Sequence, residues 1–350
     1  MENRTRDLRI VAAATAAVAT IHVLTPAGPH SWHWLHVVSA KVYYIPILLS
    51  ARSFGLSGAV ATAAAVTVLT FIHVVRDWAG LPMVQAEEVA EIATFWLVGL
   101  VSATLFRRER RSREATRFAH EETLAALAGS LELRERYTAG HSRRVRDYAL
   151  LVAGEMGLRD PAFLASMAQG ALLHDVGKIG IPDRILLKPG PLGDEERNAM
   201  RRHPEMGASL VGEIAWLRAA RELILAHHER YDGAGYPHGL AGAAIPLAAR
   251  IFTVADAFDA LTTDRPYHDA LSWEEAASKV TAGRGTQFDP DAADAFLRIR
   301  FEEWARVASG TGVVLRRHPS GGPVAPDIGG GEREATPSEA DRFQASEVQS

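Results

Sequence analysis

Four apolar stretches in the first third of this 350-residue chain constrain its fold more than any other feature. They span residues 8–24, 34–50, 56–75 and 92–106. A helix needs about 20 apolar residues to cross the ~30 Å hydrocarbon core of a bilayer, and the first three stretches approach that length. The fourth stretch is somewhat shorter. We therefore expect four transmembrane helices in residues 1–106, which would form a sensor or anchor region.

Arginines on alternate connections predict the orientation of these stretches. Arginines precede the first stretch, Arg52 separates the second from the third, and six arginines between positions 107 and 117 follow the fourth. Because arginine accumulates on the cytoplasmic side of membrane proteins, both termini are expected in the cytoplasm. The chain would then be a multi-pass membrane protein, with the lipid bilayer as a partner. A cleaved signal peptide over residues 1–27 is the alternative, which three further apolar stretches disfavour.

The remainder of the chain has helical patterns throughout. Residues 107–136 contain no proline and one glycine, which predicts a linking helix that passes signals inward and offers a surface for a homodimer. Helix start signals recur through residues 121–306 without sustained alternation of apolar and polar side chains, so this domain is expected to be all-α. Residues 316–350 are rich in Gly, Pro, Ser and Glu, and this tail is expected to be disordered.

The composition excludes several kinds of site. The chain has no cysteine, which excludes disulfides, iron–sulfur clusters and cysteine-ligated zinc. Its 14 histidines and its carboxylates are therefore the side chains that could bind a metal ion. The formal net charge of −4 disfavours a dedicated nucleic-acid-binding protein, which needs a basic face to hold phosphates. No nucleic-acid polymer is expected as a partner.

Adjacent pairs of ionisable residues in the polar region predict a metal site. His174 and Asp175 end an apolar run, and His227 and His228 precede a glycine-bearing loop that ends at Pro237. Two adjacent ionisable side chains at an apolar helix end must lose their hydration together, and a bound cation stabilises them there. The region offers three further candidate ligands, which are His141, His203 and Asp256.

These motifs resemble the HD-GYP family within the HD superfamily of metal-dependent phosphohydrolases. His141, the His174-Asp175 pair and Asp256 fit the HD pattern in order. Residues 227–237 match the His-His-Glu, Asp-Gly and Gly-Tyr-Pro signature position by position. The resemblance covers residues 121–305 and implies an all-helical bundle that hydrolyses cyclic di-GMP. The implied product is linear pGpG, with GMP as an alternative end point.

The resemblance also implies a role for each residue that matches the family motifs. Asp175 and Lys178 would be catalytic, with Asp175 between two metal ions and Lys178 near the scissile phosphate. Substrate contacts would come from Gly235, Tyr236 and Arg265. The metal ligands would be His141, His174, Asp175, His203, His227, His228 and Asp256. Two divalent ions, iron or manganese, are the expected cofactors.

Two positions depart from the family pattern. Tyr137 stands where some family members carry an additional glutamate ligand, so a third metal ion is not expected. His268, three residues after Arg265, stands where a basic side chain helps to hold the substrate. The charge of a histidine at this position would depend on pH near neutrality.

Two other functions compete with a cyclic di-GMP phosphodiesterase. One is a catalytically silent receptor for the nucleotide or for a protein partner, and the other is a hydrolase of another cyclic dinucleotide. Silent family members lose metal ligands or the Gly-Tyr-Pro loop, whereas this sequence keeps both, which favours an enzyme. The loop favours cyclic di-GMP over simple nucleotides but does not separate related cyclic dinucleotides. A diguanylate cyclase or another signalling protein is a further expected partner.

Overall fold

The computed structural model describes residues 2–24, 33–77, 82–135, 140–264 and 269–318. The regular elements within these ranges are all helices, and the β-type pairing there is limited to isolated bridges. The all-α prediction is therefore confirmed. The chain divides into two units, Met1–Ala119 and His120–Ser350.

Four helices begin in the first unit. They are α1 (Glu2–Leu24), α2 (His33–Val42), α3 (Tyr44–Asp77) and α4 (Pro82–Glu135), and α4 continues into the second unit. Gly55, at φ 67° and ψ −143°, interrupts the helical conformation of α3, so two helical segments meet there at a kink. Ala51 and Ala59, on either side of the kink, pack with Ala103 of α4 in one apolar cluster.

Two described segments are long and apolar enough to cross a membrane, judged by length and composition. They are Val38–Ile72 and Val89–Glu135. Four spans were predicted, so the prediction is wrong in number for the described residues. Most of the second and third predicted stretches lies in one segment, Val38–Ile72, in which α2 and α3 meet at Tyr43 and α3 is kinked at Gly55. The first stretch lies on α1, where Arg6 and Arg9 lower the mean hydropathy of the helix.

The predicted linking region shares one helix with the fourth apolar stretch, because α4 runs without interruption to Glu135. The roles of this helix in signalling and in dimerisation stay predictions. The disorder of the tail from residue 316 stays a prediction. Residues 316–318, which belong to the second unit, are the part of this tail that the structure describes, and they contact residues 273–274. The carbonyl oxygen of Arg316 accepts a hydrogen bond from the backbone N–H of Trp273 at 2.9 Å. Residues 319–350 lie outside the described ranges.

The second unit consists mainly of shorter helices. They are α5 (His141–Glu155), α6 (Pro161–Leu173), α7 (Asp183–Leu186), α8 (Asp194–Met200), α9 (His203–Gly212), α10 (Arg221–Ala226), α11 (Leu247–Thr262), α12 (Trp273–Ala282), α13 (Pro290–Arg298) and α14 (Phe301–Ser309). Short 3₁₀ turns lie at Val176–Gly180, Arg218–Ala220 and Gly242–Ala244. Several helices begin at a capping residue, whose side-chain oxygen accepts hydrogen bonds from the first turn. These caps are Asp160, Ser272 and Asp289.

An aromatic cluster holds α5 and α11 together with the C-terminal helices. Phe258, Phe296 and Trp304 are fully buried, and the ring centroid of Trp304 lies 4.8 Å from that of Phe258 and 4.7 Å from that of Phe296. Burial of these large rings stabilises one arrangement of the helices. Because His141 begins α5 and Asp256 lies on α11, this packing also positions two of the predicted metal ligands.

The 3₁₀ turn after His174 packs tightly against α9 at Gly177. A Cβ atom at Gly177 would overlap the carbonyl oxygen of His203 and lie 2.5 Å from the backbone nitrogen of Gly207. We predict that Gly177→Ala lowers the free energy of unfolding by about 3 kcal/mol, because the two segments must move apart. Denaturant unfolding of the full chain in detergent, followed by circular dichroism, measures this loss.

Gly129→Ala is the matched control for this substitution. A Cβ atom at Gly129 meets nothing within 4 Å, and alanine favours the helical conformation of α4. The control should therefore leave stability unchanged or raise it slightly. Equal unfolding midpoints for Gly177→Ala and Gly129→Ala would contradict the tight packing of the turn.

Candidate metal centre

Two groups of histidine and carboxylate side chains converge in the second unit. One group is Asp175, His203, His227 and His228, and the other is His141, His174 and Asp256. Within each group, the potential ligand atoms all lie within 4.8 Å of one another. The structure therefore brings together all seven residues that the sequence predicts as metal ligands.

The space between the two groups of side chains is the cleft, and helix ends carry four of the histidines beside it. His141 is the first residue of α5 and His203 is the first residue of α9. His174 and His227 directly follow the last residues of α6 and α10. Backbone groups at helix ends lack partners within the helix, so they are available to bind neighbouring side chains.

Backbone hydrogen bonds orient three of the imidazole rings. The Nδ1 atoms of His174, His203 and His227 lie 2.7–2.9 Å from the carbonyl oxygen three residues earlier in the chain. A carbonyl oxygen only accepts, so each Nδ1 carries a proton and donates it. The Nε2 atoms then lie 3.0–4.0 Å from the carboxylate oxygens of Asp175, where each offers a lone pair when the ring is neutral. A hydrogen bond from the ring nitrogen that does not bind the metal is typical of metal-binding histidine.

Asp175 contacts both groups. Its Oδ2 atom lies 3.0 Å from Nε2 of His174, and its Oδ1 atom lies 3.3 Å from Nε2 of His203. Lys178 also donates a hydrogen bond to Oδ2 at 2.9 Å. Burial alone would raise the pKa of this carboxyl, but the charges of His174 and Lys178 hold it well below its usual range. Asp175 is therefore an anion that directs one oxygen atom towards each group.

The pKa values of the histidines show which rings stay neutral. Burial lowers the pKa of His203, and burial together with neighbouring imidazoles lowers those of His227 and His228 well below the usual value. Burial would also lower the pKa of His174, but the charge of Asp175 and the hydrogen bond with it raise this pKa to about 9. A cation bound by His174 must therefore displace a proton.

The donor set fits a divalent metal ion. Nε2 of His228 is buried and has no hydrogen-bond partner among the described residues. A buried polar atom without a partner is costly, and a bound cation would remove that cost. Imidazole together with carboxylate suits iron, manganese or zinc. His141, His174 and Asp256 could hold one ion, the other group could hold a second, and Asp175 could contact both.

Asp259 and Arg144 orient His141, and sequence reasoning missed both residues. Nδ1 of His141 donates to Asp259 at 2.8 Å, and Nε of the fully buried Arg144 donates to the same carboxylate at 2.6 Å. Burial would raise the pKa of Asp259, but the hydrogen bonds and charges of His141 and Arg144 lower it to about 2. Asp259 lies one helical turn beyond Asp256, and Arg144 lies one turn beyond His141. This spacing is the signal that could have found them.

The last turn of α4 contacts the segments that carry the two groups. Glu132 accepts a hydrogen bond from the backbone N–H of Gly140, immediately before α5, at 2.8 Å. Arg134 donates to the carbonyl oxygens of Lys178 at 3.2 Å and of Ile181 at 2.8 Å. One turn of helix therefore holds the start of α5 and the 3₁₀ turn after Asp175 in fixed positions.

Glu135 is a further carboxylate at the cleft that the sequence did not predict. It is buried, and Nζ of Lys178 lies 3.5 Å from its Oε2 atom. Burial raises the pKa of Glu135, and the charge of Lys178 opposes that effect. The sequence prediction considered a carboxylate only at the position of Tyr137.

The Gly-Tyr-Pro loop lies directly beside the metal ligands. The ring of Tyr236 stacks on His228 with 4.6 Å between centroids and 22° between planes. A Cβ atom at Gly235 would lie 2.6 Å from Cα of Glu229, so only glycine fits there. The buried carboxylate of Glu229 accepts hydrogen bonds from two backbone N–H groups of the loop at 2.7 and 3.0 Å. These contacts fix Tyr236 at the edge of the cleft.

Three predicted or discussed positions lie outside the described residues. They are Tyr137, Arg265 and His268. The substrate-binding role of Arg265 therefore stays a prediction.

Comparisons with known proteins match this region. Residues 126–292 match the family model of the HD domain. Residues 126–292 form an HD domain. Its His-His-Glu and Gly-Tyr-Pro motifs, together with the relatives below, support membership of the HD-GYP family. Four relatives at 36–46% identity are named as cyclic di-GMP phosphodiesterases, one of them as a probable one.

Three relatives illustrate the similarity. The cyclic di-GMP phosphodiesterase response regulator RpfG of Xanthomonas campestris is 46% identical over 181 residues, which are 51% of this chain and 48% of that protein. A cyclic di-GMP phosphodiesterase of Pseudomonas aeruginosa is 34% identical over 312 residues, 87% of this chain and 66% of its own length. The 3'3'-cGAMP-specific phosphodiesterase 2 of Vibrio cholerae is 37% identical over 187 residues, 53% of this chain and 35% of that protein. The chain thus spans about half the length of the first of these relatives.

We predict that Asp259→Asn weakens metal binding by about 10- to 100-fold, because an amide holds the His141 ring less firmly than a carboxylate does. The substitution also leaves the buried Arg144 without its anion, which should cost about 3–5 kcal/mol of stability. Titration with a competing chelator measures the affinity. Asp147→Asn is the control, since Asp147 pairs with Arg146 in a more exposed position. Equal metal affinity in the two variants would contradict an orienting role for Asp259.

We predict that Arg134→Ala raises amide hydrogen exchange in the turn Val176–Gly180 by about ten- to a hundredfold. Each hydrogen bond from a charged donor contributes about 1.5–3 kcal/mol, and the turn loses several of them. Exchange mass spectrometry on the full chain measures the effect. Arg143→Ala, which removes an exposed arginine of α5, should leave exchange in the turn unchanged. Unchanged exchange in both variants would show that α4 does not hold the turn.

Proposed function

We propose that this protein is a membrane-associated cyclic di-GMP phosphodiesterase with a binuclear metal site. The observation that carries the proposal is the position of Asp175 between two groups of ligands, each of which could hold one divalent ion. The HD domain supports the reaction class. The names of the relatives, which include cyclic di-GMP phosphodiesterases, support the substrate.

The side chains of the cleft have separate roles in hydrolysis. Divalent ions, iron or manganese, would neutralise the phosphodiester and activate a water molecule as the nucleophile. Asp175 keeps the two groups at a fixed separation. Nζ of Lys178, charged and 2.9 Å from Asp175, donates a proton to the leaving ribose oxygen. Cleavage of one ester bond opens the ring and gives linear pGpG, and a second cleavage would give GMP.

Tyr236 and its loop bind the substrate beside this centre. The ring of Tyr236, which stacks on His228, would contact the substrate nucleotide. Gly235 allows the backbone to approach closely, and Arg265 would contact a phosphate oxygen. Water is excluded from the side of the cleft where the buried rings of His174 and His227 lie against Phe252.

A second candidate substrate is 3'3'-cGAMP. Three relatives of Vibrio cholerae at 36–37% identity are named as 3'3'-cGAMP-specific phosphodiesterases. The two cyclic dinucleotides differ in one base, so the metal centre cannot distinguish them. A silent receptor is less well supported, because all seven predicted ligands lie in the two groups of side chains.

The apolar segments Val38–Ile72 and Val89–Glu135 support membrane association. An inner-membrane location with a cytoplasmic catalytic domain, a homodimer through residues 107–136 and a signalling partner such as a diguanylate cyclase are proposals from the sequence. Fractionation of a bacterium that produces the chain tests the location, since a carbonate wash leaves only integral proteins in the membrane pellet.

The activity is tested with the full chain, purified in detergent under low oxygen with Fe(II) or Mn(II). We expect turnover of cyclic di-GMP to pGpG, and we expect Asp175→Asn to lose bound metal and to lower kcat by at least about 100-fold. Asp147→Asn should behave like the wild type. Metal analysis and chromatography of the products measure both effects. A fully metallated wild type that binds cyclic di-GMP without hydrolysing it would contradict the enzyme and favour the receptor.

A further inference from the structure

Arg201 lies at the edge of the candidate metal centre and has no role in the site described above. It directly follows α8 and lies two residues before His203. Its side chain is exposed, and the carbon of its guanidinium group lies 5.1 Å from the ring centroid of Tyr236. Because Tyr236 stacks on His228, these three side chains form a layered group from the metal ligands to the solvent.

The aromatic contact leaves the hydrogen-bonding capacity of Arg201 available. A guanidinium group carries five N–H donors in its plane, and stacking on an aromatic face does not use them. The contact also reduces the freedom of a long side chain, so less entropy is lost when a ligand binds. Lys178, by contrast, is buried and pairs with Asp175, so it cannot reach a group at the rim.

The proposed substrate contains a group that suits this cation. A cyclic dinucleotide has two phosphodiester groups, and the metal centre would bind the one that is hydrolysed. The second phosphate carries a negative charge and two free oxygen atoms, and it remains outside the metal centre. Arginine binds such a phosphate with two parallel hydrogen bonds.

We propose that Arg201, held against Tyr236, binds the phosphate of the cyclic dinucleotide that is not hydrolysed. This inference rests on the proposed function and deepens it, because it assigns recognition of the substrate as a dinucleotide to a named residue. Arg201 is then a substrate-binding residue that contributes to KM. A phosphodiester with a single phosphate gains nothing from Arg201.

The experiment compares two substrates in the metallated full chain. One is cyclic di-GMP, and the other is bis(p-nitrophenyl) phosphate, which has one phosphodiester group. We expect Arg201→Ala to raise KM for cyclic di-GMP by about ten- to thirtyfold, as expected for one charge-assisted contact, and to change kcat less than about threefold. Hydrolysis of bis(p-nitrophenyl) phosphate should be unchanged.

Two further variants separate charge from geometry. Arg201→Lys keeps the charge but loses the planar pair of donors, so its KM should lie between those of the wild type and Arg201→Ala. Arg202→Ala is the matched control. Arg202 is the next residue, is equally charged and is exposed. Its substitution should leave KM for both substrates within about twofold, which is the effect of a charge that makes no direct contact.

A double-mutant cycle tests the contact with Tyr236. Tyr236→Phe keeps the ring and should retain the full effect of Arg201→Ala on KM. Tyr236→Leu removes the ring, so Arg201→Ala should have a smaller effect in that background. Equal effects in all three backgrounds would show that Tyr236 does not position the arginine, which would overturn that part of the inference.

Each possible failure has a distinct result. If the wild type hydrolyses bis(p-nitrophenyl) phosphate but not a cyclic dinucleotide, the proposed function fails. If both substrates are hydrolysed and Arg201→Ala behaves like Arg202→Ala, only the role of Arg201 fails. If Arg201→Ala lowers kcat for both substrates alike, the residue has a structural role, and the inference is again overturned.

Discussion

The carboxylate of Asp175, which is only 17% exposed, is the constraint on which the second unit depends. An anion removed from water needs opposite charge and hydrogen bonds to remain stable. Here it has His174 and Lys178 at one oxygen atom and His203 at the other. These partners come from the end of α6, the turn after it and the start of α9, so satisfying one carboxylate requires three separate segments to meet. A divalent ion on each side would satisfy it further, which makes metal binding a part of the stability of this unit.

Phe252 connects that polar centre to the apolar core. Its ring is fully buried and lies 4.9 Å from the ring of His174 and 5.9 Å from that of His227, measured between centroids. The same helix, α11, buries Phe258 in the aromatic cluster and directs Asp256 and Asp259 towards the histidines. One helix therefore has an apolar face that fixes its position and a polar face that fixes the site. Substitutions in the aromatic cluster should move the ligands, because packed helices shift as rigid bodies.

The sequence located the candidate ligands because their signals are local. Two adjacent pairs of ionisable residues and a glycine-bearing loop are visible without any knowledge of the fold. Asp259 and Arg144 carry a weaker local signal, which is their spacing of one helical turn from Asp256 and His141. Their own contact spans 115 residues and exists only after α5 packs against α11. The predicted number of membrane segments was wrong for a related reason. The hydropathy pattern separates the second and third stretches, whereas most of both lies in one apolar segment of the structure.

The end of α4 shows that a side chain can reach the site from a position that the motif comparison does not consider. The sequence comparison assigned a missing carboxylate to residue 137 and lowered the expected number of metal ions. Glu135 nevertheless directs a buried carboxylate to Lys178 from the preceding helical turn. Glu132 and Arg134 hold the two segments between which that carboxylate lies. The direction of a helix decides which side chains reach a site. A residue at the end of α4, two positions before residue 137, can therefore present a carboxylate to the same site from another direction. The charge at the cleft must therefore be counted from the contacts of α4, and that count includes Glu135.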